Sequence, residues 1–159
     1  ELGVGSNLYG LLGAAAGLGS LVGSLFIASR TVRNQGAVYS LGAILMLAAV
    51  FVFAFSSLYP LSILLLVISG VGMSGFATMQ PAIALQAVPP QMRGRAMGAV
   101  ALGIGASPLG MFLVGQMAEL WGPRAALALL TGSGFIVLNL LRFALPELRR
   151  AREVALEVP

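Results

Sequence analysis

The segment "AVPPQMRGRAMGAVALGIGASPLG", residues 87–110, joins a proline pair and two arginines to an apolar stretch. Arg93 and Arg95 are two of only nine cationic side chains in the 159-residue chain. From Ala96 to Ala118 the sequence then runs 23 residues without a charge. A helix of about 20 apolar residues crosses the hydrocarbon core of a bilayer, which is about 30 Å thick. The segment therefore places a basic turn directly beside a candidate membrane span.

The composition of the whole chain is that of a membrane protein. Hydrophobic residues make up 58% of the sequence and charged residues 9%, and the mean hydropathy is +0.98. Soluble domains are about one-half apolar and about one-quarter charged. His and Cys are absent, which excludes disulfides, thiol chemistry and metal sites built on these residues, and we expect no metal or cofactor. The net charge of +4 comes from arginines dispersed among apolar spans, so we expect no nucleic-acid partner.

Uncharged runs divide the chain into five predicted transmembrane helices. Four runs carry no charge: residues 2–29, 34–92, 96–118 and 125–141. The second run is long enough for two helices, and Tyr59-Pro60 predicts the turn between them. We therefore expect an all-α membrane protein whose spans are followed by a cytoplasmic tail at 146–159. The expected spans are about 8–29, 37–55, 61–85, 96–118 and 125–145.

The arginines predict on which side of the membrane each loop lies. Arg30 and Arg33 lie between the first and second spans, and Arg93 and Arg95 lie between the third and fourth. Three more arginines follow the fifth span, whereas the opposite connections contain only Arg124. By the positive-inside rule, the arginine-rich loops and the C-terminus are cytoplasmic. The chain would then begin outside, and we expect it to be a piece of a longer protein. Two interpretations of the four loop arginines stay open: membrane-surface anchors, or parts of a cytoplasmic gate.

Glycines and prolines predict where helices pack and bend. Small residues let helix backbones approach closely, which is the main source of packing energy in lipid. The first span contains two G-x-x-x-G pairs, and the fourth has small residues on one face. The second span, with one interior glycine, is bulky all round, as expected of a lipid-facing outer helix. Pro81 and Pro108 predict bends, which are either static kinks or help to form a gate or cavity. We expect helix contacts at Gly13, Gly17, Gly19, Gly23, Gly103 and Gly110.

The third span contains a motif that could be mistaken for a nucleotide site. The segment "GVGMSG", residues 70–75, matches the G-x-G-x-x-G pattern of dinucleotide-binding loops. That pattern requires a preceding strand, a helix that opens toward water and an acidic residue about 20 positions later. The sequence offers none of these, so we reject the nucleotide interpretation.

One face of the third span is the candidate substrate site. Polar groups at membrane depth seldom face lipid, so a mixed polar face is predicted to border a cavity. Its uncharged chemistry would suit a bulky amphipathic solute. Ser74, Gly75 and Thr78 point to the far side. The alternative is that Ser69 bonds back to its own helix and that the bulky side chains are ordinary packing. At about 100° per residue, five side chains fall within about 40° of one direction: Ser62, Ser69, Met73, Phe76 and Gln80.

The order of these elements resembles a known family. The glycine-rich span, short basic loop, bulky span and hairpin, followed by "VPPQMRGRAMG", "SPLG" and "GQMAELWGPRAAL", resemble helices eight to twelve of a major facilitator superfamily transporter. The "VPPQMRGRAMG" loop and the "WGPRAAL" turn are similar to the bacterial exporter branch that includes the enterobactin and macrolide efflux proteins. The loop "GSLFIASRTVRNQG" keeps Gly23, Arg30 and Arg33 of a family signature but lacks its Asp, so we expect no Asp-centred loop latch here.

The resemblance implies a secondary active exporter of amphipathic small molecules that works by alternating access in the inner (plasma) membrane. The implied partners are the lipid bilayer, the missing N-terminal half of the same chain and a small-molecule substrate. The third helix would line the cavity, the first and fourth would contact the opposite half, and the second and fifth would be peripheral supports. The residues alone leave one other class open: a non-transporting membrane anchor or assembly module that packs through G-x-x-x-G helices. An enzyme is not expected, because the chain has no His, Cys or Asp and no acid at membrane depth.

Overall fold

The computed structural model describes residues 6–32 and 34–144, and it shows helices joined by short turns with no strand among these residues. A single 3₁₀ turn at Pro90–Met92 precedes the fourth helix. Five segments are long and apolar enough to cross a membrane, so the predicted all-α fold is confirmed. Arg33 and the predicted tail at 146–159 lie outside the described residues. The helices are α1 (Ser6–Ala28), α2 (Gln35–Phe55), α3 (Tyr59–Gln86), α4 (Arg93–Gly105), α5 (Ser107–Trp121) and α6 (Pro123–Ala144).

Helix α1 packs in parallel on one side of α3. Gly19 lies against the Val67 carbonyl, and Gly23 lies against the side chain of Ser74. The contact positions thus advance together along the two helices. A Cβ atom at either glycine would clash with these atoms, so the glycines permit a close approach of the two backbones.

Helix α2 packs antiparallel on another side of α3. A Cβ built on Gly72 would lie 2.6 Å from the Gly42 carbonyl oxygen and 2.6 Å from the Met46 nitrogen. A Cβ on Gly75 would lie 3.1 Å from the Val38 carbonyl oxygen, so the contacts run in opposite directions along the two helices. The expectation that α2 is bulky all round is wrong at this point, because its interior glycine is where α3 crosses it.

Helices α2 to α6 form a ring. In it α3 contacts α2 and α4, α2 contacts α6, α6 contacts α5, and α5 follows directly from α4. Gly132 lies near the ring of Phe51, and Gly134 lies near the methyl groups of Leu47, so α6 is antiparallel to α2. Helix α1 lies outside this ring, on the flank of α3. The second helix is therefore packed on both α3 and α6 rather than being only a peripheral support.

The fourth predicted span consists of two helices rather than one. The chain is interrupted at Ala106, two residues before Pro108, and the segment Pro90–Trp121 is still long enough as a whole to cross a membrane. Proline has no amide hydrogen, and its ring clashes with the carbonyl four residues earlier in a continuous helix. The Leu109 amide instead donates to the Ala106 carbonyl at 3.1 Å, which begins the first turn of α5. No residue of α4 or α5 is buried, so the break does not arise from burial against the described helices.

The connections alternate between the two ends of the bundle. Antiparallel neighbours place the loop 29–34 and the turn 87–92 at one end, together with the end of α6. At the other end the Tyr59 hydroxyl donates a 2.8 Å hydrogen bond to the Leu8 carbonyl, which ties the start of α3 to the start of α1. Gly122 joins α5 to α6 there with a φ of 83°, a conformation that favours glycine. Arg30, Arg93 and the residues beside them therefore lie at one common end.

Candidate functional site

Hydroxyl groups inside the spans are mostly satisfied by their own helices. The Ser69 hydroxyl donates to the Leu66 carbonyl at 2.8 Å, and the Ser74 hydroxyl donates to the Val71 carbonyl at 2.7 Å. Such bonds satisfy a polar group at membrane depth without help from another helix. The structure therefore shows the alternative for Ser69, in which its hydroxyl bonds back to its own helix. Five further hydroxyls within the helices make the same type of bond: Ser24, Ser40, Thr78, Thr131 and Ser133.

The structure divides the predicted cavity face of α3 into a covered part and an accessible part. Ser62 is fully buried and donates to the Ser56 hydroxyl at 3.1 Å, and Ser69 is also buried. Met73 is 46% exposed, and Phe76 and Gln80 are half-buried. The accessible part of this face is thus its second half, from Met73 to Gln80. Its assignment to a substrate cavity stays a prediction.

Helix α2 contributes an aromatic side chain beside this accessible surface. The ring of Tyr39 stacks on the ring of Phe76, with 5.0 Å between centroids and an interplanar angle of 28°. Tyr39 is not among the predicted site residues, because helical periodicity within α3 contains no information about side chains on α2. The stacked pair fixes the Phe76 ring beside the α2–α3 contact.

Gln80 supplies the free polar group of this surface. Its amide forms no hydrogen bond with any residue that the structure describes. Pro81 follows it inside α3, and the helix nevertheless continues to Gln86. An amide at membrane depth is costly unless it has a partner. Water, a polar solute or a segment outside the described residues can supply that partner.

The arginines at the common end of the bundle differ in their surroundings. The Arg30 guanidinium lies 5.2 Å from the centroid of the Phe26 ring, within the range of a cation–π interaction. Arg93 and Arg95 are exposed in the first turn of α4, which has no acidic residue. Within the described part of the chain, neither residue forms an ion pair. The N-terminus of a helix carries a partial positive charge, so this position favours an anionic partner for both side chains.

A family sequence model described as Major Facilitator Superfamily matches residues 1–158, nearly the whole chain. The chain belongs to the major facilitator superfamily. No curated protein and no solved structure matches it. Members of this family are membrane transporters rather than enzymes, and the five apolar segments agree with a multi-pass membrane protein. The membership that the residues indicated is thereby confirmed.

In this superfamily member, only some of the predicted glycine contacts form between described helices. Gly19 and Gly23 lie against α3, as stated above. A Cβ built on any of four other glycines would have no described atom within 4 Å. These four surfaces are therefore open to lipid or to segments outside the described residues. The four are Gly13, Gly17, Gly103 and Gly110.

Three closely packed glycines of this transporter lie in the "GVGMSG" segment. Gly70 lies against the Ala16 carbonyl of α1, while Gly72 and Gly75 lie against the backbone of α2. The segment rejected as a nucleotide loop is thus the point at which α3 crosses both neighbours. The signal for it was the small-x-x-x-small spacing of Gly70 and Ser74.

Proposed function

We propose that this chain is helices eight to twelve, the C-terminal half, of an exporter of amphipathic small molecules in the inner (plasma) membrane. In such transporters the substrate binds between two repeat-related halves, which rock about a central site. The observation that carries the proposal is the accessible, uncharged surface of α3 formed by Met73, Phe76 and Gln80. The exporter assignment itself rests on the resemblance of the "VPPQMRGRAMG" loop to the enterobactin and macrolide efflux branch.

The chemistry of this surface fits a solute with both apolar and hydrogen-bonding parts. Met73 presents a polarisable thioether, the Phe76–Tyr39 pair presents aromatic rings, and Gln80 presents an amide without a partner among the described residues. Residues 34–92 carry no charge, so α3 cannot neutralise a charged substrate. A small ion or a sugar phosphate would require charged ligands or many hydrogen bonds. A bulky amphipathic molecule requires neither.

The assignment to one half of the transporter is supported by surfaces that the described helices leave open. No residue of α4 or α5 is buried, although together they are long enough to span the membrane. On α1, Gly13 and Gly17 form a G-x-x-x-G pair that touches no described helix. In the proposed arrangement the first and fourth spans contact the opposite half, so both surfaces would be covered there.

Cysteine labelling tests the cavity surface. Cysteine at Met73 should react with a small thiol reagent in the full-length protein, because the proposed cavity admits water, and cysteine at the exposed Thr78 position is the control on another face of α3. Only the Met73 variant should be protected by a transported substrate, since the two side chains point about 140° apart on α3. The measurement is the labelling rate with and without candidate substrates. Protection of Thr78 alone would place the cavity on the opposite face of the helix.

Loop accessibility tests the orientation. Cysteine at Ser57 should react with a membrane-impermeant reagent added outside intact cells, and cysteine at Thr31 should react only after the cells are opened. Thr31 is preferable to Asn34 as the inner position, because the Asn34 side chain accepts a 2.9 Å hydrogen bond from the Ala37 amide and caps α2. Removal of such a cap costs about 1 kcal/mol. The reverse labelling pattern would contradict the arginine-based orientation.

A further inference from the structure

A slot of about 550 Å³ opens between the last turns of α1 and the first turns of α2, and α3 forms its floor. Val22 and Phe26 line it from α1, and Val38 and Leu41 line it from α2. The slot exists because α1 and α2 pack on different sides of α3 and leave its surface open between them. Its walls are apolar along their length.

The polar end of the slot carries a positive charge. Arg30 lies at this end, is exposed, and has its guanidinium beside the Phe26 ring that lines the slot. It forms no ion pair with any residue that the structure describes. None of the described residues that line the slot is acidic. Among the described residues, Arg30 is the cation at this end, and a cation above an apolar slot is complementary to an amphiphile with an anionic head.

The dimensions of the slot match one leaflet of a bilayer. From Arg30 back to Val22, it follows α1 for about 12 Å, and one leaflet of the hydrocarbon core is about 15 Å deep. The depth and the apolar walls of the slot suit an acyl chain, and Arg30 at its end suits an anionic head group.

The slot also lies away from the surface proposed for substrate. Val71 and Ser74 are part of its floor, whereas Met73 belongs to the proposed cavity surface. At about 100° per residue, Met73 points about 160° away from Val71. The two surfaces thus occupy opposite faces of α3, and one occupant cannot fill both.

We propose that the slot binds an acyl chain of an anionic membrane phospholipid whose phosphate pairs with Arg30. The lipid belongs to the leaflet at the Arg30 end of the bundle, which the arginine distribution predicts to be cytoplasmic. A guanidinium can hold a phosphate through two parallel hydrogen bonds. The proposal goes beyond the transport function, because it requires neither a particular substrate nor a direction of transport.

Photocrosslinking in vesicles tests the slot. The full-length protein is reconstituted in phosphatidylcholine that contains a small fraction of phosphatidylglycerol with a photoreactive acyl chain, and crosslinked peptides are identified by mass spectrometry. Crosslinks should concentrate in residues 22–45. Leu41→Trp should reduce them at least fivefold by filling the slot, and Val52→Trp should not. The two positions are matched, because they lie on one helix and are 52% and 49% exposed, but only Leu41 lines the slot.

The head group is tested separately at the exposed Arg30. One arginine near the membrane surface changes the affinity for anionic lipid by about fivefold, so Arg30→Gln should reduce phosphatidylglycerol crosslinking by that factor, and Arg30→Lys should largely preserve it. Equal crosslinking in the two Trp variants would show only bulk lipid and overturn the proposal. Equal crosslinking by photoreactive phosphatidylcholine would overturn the anionic assignment. A crosslink from cysteine at Leu41 to another helix of the same protein would assign the slot to protein and overturn it as well.

Discussion

Replacement of Gly72 by alanine is expected to remove most of the folded protein from the membrane. The new Cβ would lie 2.6 Å from two backbone atoms of α2, the Gly42 oxygen and the Met46 nitrogen, whereas ordinary contact begins at 3.4 Å. Backbone atoms cannot rotate away as a side chain can, so α2 and α3 would have to separate. Overpacking typically costs about 1–3 kcal/mol, and helix association in lipid depends on close packing. Size-exclusion chromatography of the tagged full-length protein should show at least a fivefold loss of the monodisperse peak.

Alanine at Gly134 is the matched control. This glycine also lies in a helix and also faces α2, but its added Cβ would meet only the Leu47 methyl groups, at 3.4 and 3.6 Å. Both replacements gain the same helix propensity of about 1 kcal/mol, so the difference between them isolates the crossing of α2 and α3. The Gly134 variant should remain near the wild-type level. Equal levels for the two variants would mean that α2 and α3 do not approach as closely as the structure shows.

The G-x-x-x-G pairs of α1 show how far the sequence can predict the packing of the helices. The two pairs Gly13/Gly17 and Gly19/Gly23 have the same spacing, but only the second pair lies against a described helix. A small surface indicates that a backbone can approach, while the identity of that backbone depends on the arrangement of all the helices. Gly42, in the interior of the otherwise bulky α2, is likewise a crossing point that spacing within α2 does not reveal.

In the candidate site, helical periodicity predicts the direction of each side chain on α3 but not which neighbouring segment covers it. Helical spacing predicts that five side chains of α3 share one direction. The neighbouring segments decide which of these side chains are covered. Ser62 is buried and bonds to Ser56 of the preceding turn, whereas Met73 is exposed. The stacking of Tyr39 on Phe76 depends on the register between α2 and α3, which no pattern within one helix contains.

Lysine at both Arg93 and Arg95 is expected to reduce transport by the full-length protein at least tenfold while leaving its amount in the membrane unchanged. Both side chains lie in the first turn of α4, where the helix dipole disfavours a cation by about 0.3–1 kcal/mol. An anionic partner beyond the described residues would offset that cost. A guanidinium offers such a partner two parallel hydrogen bonds, and an ammonium cannot reproduce this geometry.

The size of the effect follows from the bonds that would be lost. Hydrogen bonds to charged groups contribute about 1.5–3 kcal/mol each, and about 1.4 kcal/mol corresponds to a factor of ten. Initial transport rates and surface labelling should be measured together for the wild type, the double Lys variant and a double Gln variant. Gln at both positions removes the positive charge, so it should reduce insertion if the arginines anchor the loop. The double Lys variant separates anchoring from a gate role, because it keeps the positive charge and loses only the two parallel hydrogen bonds of each guanidinium. Wild-type transport by the double Lys variant would assign Arg93 and Arg95 to membrane anchoring and not to a gate.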